Sequence, residues 1–393
     1  MLIKKISLAL TTVILTLVVL ELALRYVQPF GFTLKGHTIV LPTNTSVTYE
    51  VAPTEKLDPL VTVKKNSLGF RGENPPARFH SQLTLVTVGG STTESILVPE
   101  QKTWTDILGK NLSNHFDNVW INSAGFDGHS TFGHLILTND YLVALRPKYA
   151  LFLVGTNDLA LFEGKEWDAF RPRPQQQSLL DRLAEHSALV ALYKNIQRLR
   201  ASQQLGLSSR NVIDFDSVVP SMEKYPDYKV LGSSTASATL SDVVGSDEEL
   251  DEYVAAYRQR LEQLVITTRN AEIEPVLITQ PALYGPAVDD VTGVNLEDIV
   301  VDTTNGVIGA GMVGREKWSL LEAYNQATRS VAKAHNVKMI DLAAKLPKSS
   351  RYYYDFVHFS NAGSQEVASL VYKDLCHFLW EREPSLRSTA CPM

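Results

Sequence analysis

The apolar and polar positions divide the chain into a leading uncharged run and an alternation of short apolar stretches with amphipathic ones. Ile6 to Leu20 (ISLALTTVILTLVVL) carries no charge, glycine or proline. Continued through Glu21 and Leu24 to Tyr26, it predicts a helix of about 20 residues, close to the roughly 30 Å of bilayer hydrocarbon at 1.5 Å per residue. Further on, Leu83–Val88 runs into Gly89-Gly90 as consecutive β-formers, the pattern of a strand buried on both faces. Asn118–Asn122, Tyr149–Val154, Pro275–Thr279 and Val337–Leu342 read as four more strands, with turn residues at their ends. Between them, helical spacing of apolar residues predicts helices over Trp104–Asn114 (Trp104, Ile107, Leu108, Leu112), Thr131–Leu145, stopped by Pro147, and Leu250–Arg269 (Tyr253, Tyr257, Leu261, Leu264). Glu316–His335 and Asn361–Trp380 complete the set. Strand and helix in turn predict an α/β fold: three α/β/α layers around a five-stranded, mainly parallel, flavodoxin-like sheet.

The same pattern sets the expected organisation. Residues 1–27 form a signal anchor or transmembrane helix, and residues 28–65, with prolines at 29, 42, 53 and 59, form a stalk that wraps onto the domain. Residues 66–382 are the main domain, interrupted by an insertion at about 165–247 that contains a helix over Leu179–Ala201. A long loop at 280–315 leaves the carboxyl end of a strand and is a candidate lid or substrate wall, and residues 383–393 are expected to be loose. Lys4 and Lys5 on the short leading side orient that end to the cytoplasm and everything after about Val27 outside it. A cleaved signal peptide is the competing reading, although Ala23-Leu24-Arg25 is a poor cleavage site; a buried helix is the third. The first two readings both export the rest of the chain.

Composition narrows the function. The 393 residues are 44% hydrophobic and 20% charged with a net charge of −6, so there is no basic face for nucleic acid beyond brief runs such as Arg198–Arg200. Cys376 and Cys391 are the only cysteines; they can close a small disulfide loop or remain two thiols. No metal-ligand spacing, GxGxxG or Walker sequence occurs, so neither metal nor other cofactor is expected.

Four polar points fall just past successive apolar elements: Ser91, Gly125, Asn157, and the segment Asp355-Phe356-Val357-His358 before the last helix. In a parallel sheet such points share the edge where ligands bind. Ser91 alone reads equally as a capping serine. Together the four offer what acyl transfer requires: a nucleophile, a base oriented by a carboxylate, and donors for an oxyanion. Thr93 stands where the last glycine of G-x-S-x-G would fall, which disfavours an α/β-hydrolase elbow.

GGST around Ser91, NSAGFDG around Gly125, GTND around Asn157 and DFVH at Asp355–His358 resemble the four blocks of the SGNH, or GDSL-like, hydrolase family. The resemblance runs from about residue 66 to 382 and implies a catalytic set of Ser91 as nucleophile, His358 as base and Asp355 as its orienting acid. It further implies an oxyanion hole from the amides of Ser91 and Gly125 and the side chain of Asn157. The family's aspartate before the serine is Gly90 here. The expected function is a membrane-anchored, extracytoplasmic serine esterase acting on a small acyl ester or acylated glycan. An O-acyltransferase acting on an envelope polysaccharide and a non-catalytic glycan-binding protein are the alternatives. Among neighbouring residues, His129 and His134 are expected at the surface or as helix caps, with contact to substrate as the alternative, and Asp158 as a holder of the Asn157 loop. Arg71 is a partner for a carboxylate, and Trp318 and Tyr284 are packing residues flanking the long loop, with stacking on sugar rings as the alternative.

Overall fold

The computed structural model describes residues 2–27, 32–35, 41–51, 55–161, 179–184, 186–204, 208–211, 238–301 and 311–392. Its centre is a sheet of five parallel strands: β1 (Leu83–Gly89), β2 (Val119–Ser123), β3 (Tyr149–Leu153), β4 (Glu274–Ile278) and β5 (Lys338–Ile340). They lie in the order β5-β4-β3-β1-β2. Every residue of β1 and β3 is buried, which is why both read as unbroken apolar runs rather than alternating ones. The strand order reverses between β1 and β3, so the turns leaving these two neighbours diverge and leave a crevice at their carboxyl ends.

One helical layer contains α2 (Trp104–Leu112) and α7 (Asn361–Arg382), packed on each other. The other contains α3 (Thr131–Leu137), α5 (Asp247–Asn270) and α6 (Gly314–Ala334). The helices begin where the sequence supplies caps: Thr103 accepts from Asp106, Ser246 and Glu249 form a capping box, and Ser360 accepts from Gly363. A continuous core built on Trp104, Phe152, Tyr257 and Tyr324 fills the space between sheet and helices.

The amino terminus and the insertion contribute helices outside these layers. The amino-terminal α1 (Leu2–Val27) contains, over Ser7–Arg25, the one stretch among the described residues long and apolar enough to cross a membrane, and that stretch is unburied. Of the insertion, the described part is mainly the short helix Leu179–Ala184 and α4 (Ala188–Gln204).

Two expectations need correction, and a third is narrowed to one of its two readings. Residues 41–51 and 55–65 are no mere stalk: Thr45–Glu50 and Leu60–Lys65 pair antiparallel and cover a second small core of Val51, Leu57, Val61, Val63, Ile96, Leu97 and Val98. The carboxyl-terminal segment is pinned rather than loose. Cys376 and Cys391 form a disulfide, Asp117 N–H donates to the Leu386 carbonyl, and Glu383 accepts from Lys148 Nζ (2.8 Å) and Tyr149 Oη (2.9 Å). Residues 280–301 of the long loop are a packed wall and not an open lid, with Tyr284, Leu296, Ile299 and Val301 fully buried; 302–310 lie outside the described residues.

Candidate active site

Ser91 opens a single helical turn, Ser91–Glu94, directly after β1. As the first residue of the turn its N–H has no partner within it, so the amide is available to a ligand. The turn is clamped from behind. The buried Arg71 guanidinium donates to the carbonyls of Glu94 (2.8 Å), Ser95 (2.6 Å) and Val98 (3.0 Å) and to Glu100 Oε1 (2.8 and 3.0 Å). Trp104 Nε1 donates to the Thr92 carbonyl (3.1 Å). Glu94 in turn accepts from Lys65 Nζ (2.7 Å) and from the Asp127 amide (2.7 Å), tying the 41–65 hairpin and the Gly125 loop to the same turn. Sequence reasoning anticipated a carboxylate partner for Arg71. Its grip on three carbonyls, and the buried Glu94, carried no local signal.

His358 Nε2 lies 2.7 Å from Ser91 Oγ, and His358 Nδ1 lies 2.6 Å from Asp355 Oδ2. Asp355 Oδ1 also accepts the backbone N–H groups of Val357 (2.8 Å) and His358 (2.7 Å). A carboxylate with three donors is held in its charged form: burial opposes ionisation, but His358 and the two amides outweigh it and keep the Asp355 pKa below its usual value. Burial likewise opposes an imidazolium at His358, but the Asp355 charge outweighs it and the pKa ends above its usual value. With Nδ1–H donated to Asp355, Nε2 is the acceptor for the Ser91 hydroxyl proton. The His358 and Asp355 side chains remain 24% and 29% exposed, open enough for a substrate to reach.

The segment carrying this pair leaves no strand. It is folded by the bridge between Tyr353 and Phe359 and by Tyr354 N–H donating to the His358 carbonyl (3.1 Å), with the Tyr354 ring stacked on the imidazole (centroids 5.5 Å, 8°). The packed wall holds it from outside: Leu283 N–H donates to the Phe356 carbonyl (2.8 Å), and Asp289 Oδ1 accepts from Ser350 N–H (2.7 Å).

Asn157 sits in the turn after β3, its Nδ2 donating to the His129 carbonyl (2.9 Å). A Cβ at Gly90 would lie 2.3 Å from that nitrogen, so the space beside the serine that the family's aspartate would need is taken here by the Asn157 amide. Asp158 holds this turn, as expected. Fully buried, it accepts the Thr131 N–H and hydroxyl and Arg260 Nη2 (3.2 Å), while Arg260 Nε donates to Thr131 Oγ1 (2.7 Å).

Gly125 packs behind the Ser91 turn. A Cβ there would lie 2.3 Å from the Glu94 nitrogen, so the position requires glycine for close packing behind the Ser91 turn. Its single N–H is donated to Ser123 Oγ (3.2 Å). His129 and His134 are both buried rather than at the surface, their rings 6.0 Å apart, and burial pushes His134 down to about 3. Tyr284 is a core residue, and Trp318 is partly buried beneath Lys348 Nζ, 3.2 Å from its ring centroid. Neither touches the Ser91–His358 pair in any described contact. Among the described residues the one close group of metal-type donors, His115 with Cys376 and Cys391, has both sulfurs in the disulfide.

No curated protein matches the chain. Among solved structures it is similar to a lipase/acylhydrolase from Enterococcus faecalis (14% identity, 78% of this chain and 100% of that one, TM-score 0.39). It is also similar to a putative lipolytic protein of the G-D-S-L family from Desulfitobacterium hafniense (11%, 75% and 99%, TM-score 0.38). A third is an acetylxylan esterase from Geobacillus stearothermophilus (13%, 74% and 93%, TM-score 0.37). The match to a family is of another order, since the family model spans residues 87–366 and so takes in Ser91, Asn157, Asp355 and His358. The chain therefore belongs to the GDSL-like lipase/acylhydrolase family, and it is a serine ester hydrolase.

Proposed function

We propose that this chain is a membrane-anchored, extracytoplasmic esterase that removes an O-acyl group, acetyl in the simplest case, from a carbohydrate or lipid through an acyl-enzyme on Ser91. The observation that carries the reading is the unbroken chain from Ser91 Oγ through His358 to Asp355, at 2.7 and 2.6 Å. His358 Nε2 takes the hydroxyl proton as Ser91 Oγ bonds to the ester carbonyl carbon. The carbonyl oxygen becomes an oxyanion, for which the Ser91 N–H and the Asn157 amide are the donors at hand. Collapse expels the alcohol, which leaves with the proton from His358. Water then repeats the sequence on the acyl-enzyme: His358 takes a proton from water, hydroxide adds to the carbonyl, and Ser91 Oγ leaves with that proton as the acid is released.

Two features support the location. Lys4 and Lys5 precede the apolar run of α1, which favours a cytoplasmic amino terminus. The Cys376–Cys391 disulfide suits an oxidising compartment. The test is a parallel screen of acetylated glycans, acylated lipids and aryl esters against wild type and Ser91→Ala, with products analysed in the presence of water alone and of added sugar acceptors. Acid release by wild type and none by Ser91→Ala supports the esterase. Acyl transfer to the sugar at the expense of free acid makes it a transferase. Equal turnover by both proteins rejects Ser91 as nucleophile.

A further inference from the structure

The carboxyl end of α1 is bonded to the insertion. Glu21 accepts from Ser187 Oγ (2.9 Å) and from the first backbone N–H groups of α4, those of Ala188 (2.8 Å) and Leu189 (3.1 Å). One turn later Arg25 Nη2 donates to the His186 carbonyl (3.0 Å). A carboxylate on the unpaired amides of a helix start is a favourable charge–dipole contact, so Glu21 caps α4 from a different helix. The far side of α4 is fixed to the catalytic body, where Asn195 Nδ2 donates to the Thr43 carbonyl (3.3 Å). Thr43 and Asn195 are both buried. α4 thus bridges span and body. Asn195 lies seven residues along α4 from Ala188, about 10 Å at 1.5 Å per residue.

The apolar stretch of α1 ends at Arg25, so in a spanning helix Glu21 and Arg25 stand at the outer headgroup level. Whatever Glu21 binds stands there too. The Leu183 carbonyl accepts from Ser187 N–H (3.0 Å) and His186 N–H (3.1 Å), which puts Leu183 one turn from the contact. Leu180 lies three residues before it, on the same helical face. Leu180, Leu183 and Tyr193 are 44%, 47% and 53% exposed, beside a helix whose own leucines and valines are bare. Exposed leucines next to a spanning helix, with an exposed tyrosine on the adjoining helix, are the composition of an interfacial element.

We infer that the helices Leu179–Ala184 and α4 form a membrane-surface element: Leu180, Leu183 and Tyr193 enter the outer headgroup region next to α1, and α4 holds the catalytic body at the bilayer. The inference rests on the reading of α1 as an uncleaved span. It makes the body a fixture of the membrane surface rather than a domain on a free tether.

The test uses the full chain in vesicles of phosphatidylcholine and phosphatidylglycerol, with an environment-sensitive fluorophore at Leu15→Cys, Leu183→Cys, Tyr193→Cys or Lys110→Cys and nitroxide-labelled lipids as quenchers. Quenching at 15, 183 and 193, but not at 110 on α2, is the expected result. Adding Glu21→Ala should lower quenching at 183 to the level seen at 110 while leaving 15 quenched. Quenching at 15 with 183 and 193 no different from 110 overturns the inference and leaves the anchor standing. No quenching at 15 removes the anchor, and the inference falls with it.

Discussion

The Ser91 turn and the Asp355–His358 segment meet in one hydrogen bond, yet they are held by different means. Ser91 is placed by the sheet: β1 ends, Gly89 and Gly90 turn, and a buried guanidinium from Arg71 fastens the next carbonyls. His358 is placed by packing far from any strand end, through a ring stacked on Tyr354 and a backbone held by residues 283 and 289 of the wall. The proposed nucleophile is therefore a local consequence of a buried strand, whereas the proposed base is a long-range consequence of how a loop is filled. Substitutions in the two regions should separate accordingly.

The largest effect is expected at the meeting point. Ser91→Ala should lower kcat on an aryl ester by roughly 10⁴- to 10⁶-fold with little change in thermal midpoint, because the side chain serves chemistry and not packing. Asp355→Asn should cost on the order of 10⁴-fold, since an amide cannot hold the His358 tautomer as the carboxylate does; a loss under tenfold would show that the wall alone orients the imidazole.

Smaller losses should follow from the strand-end side. Asn157→Ala removes one proposed oxyanion donor and should lower kcat by roughly 10²- to 10³-fold. Gly90→Ala should lower it in the same direction while leaving Ser91 in place, because the new Cβ falls 2.3 Å from the Asn157 amide. If Gly90→Ala were fully active, the observed Asn157 position would not be the working one.

Acid titration probes the base alone. The His358 pKa lies above its ordinary value of 6.5, and the neutral imidazole is the active form, so kcat/KM should fall as pH drops through a midpoint above 6.5. Asp355→Asn removes the charge that raises it and should move the residual profile to lower pH. The smallest catalytic effect belongs to the far end of α7. Replacing Cys376 and Cys391 by serine opens a loop with a sequence separation of 15, and should cost about 3 kcal/mol of stability on denaturant titration with kcat unchanged.

What could be read from the chain follows the same division. All five strands and the order of layers were legible because β1, β3 and their neighbours are buried on both faces and leave unbroken apolar runs. Ser91, Asp355 and His358 were legible because family blocks carry them, and the structure brings the three together. The supporting contacts were not: Arg71 reaches Glu100 across 29 positions and Arg260 reaches Asp158 across 102. No spacing rule connects residues that far apart. Gly125 shows the limit in one residue. Its lack of a side chain is required by the Glu94 backbone beside it, but the direction of its N–H, toward Ser123, depends on a loop path that composition does not encode. The 41–65 hairpin was hidden for a similar reason, since TSVTYE is only half-buried and shows little apolar alternation.

The most direct test of the assignment is covalent. Full-length protein treated with a fluorophosphonate, digested and mapped by mass spectrometry should carry the adduct on Ser91, with labelling abolished in Ser91→Ala and strongly slowed in His358→Ala. An adduct on any other residue, or labelling that persists in Ser91→Ala, would contradict it.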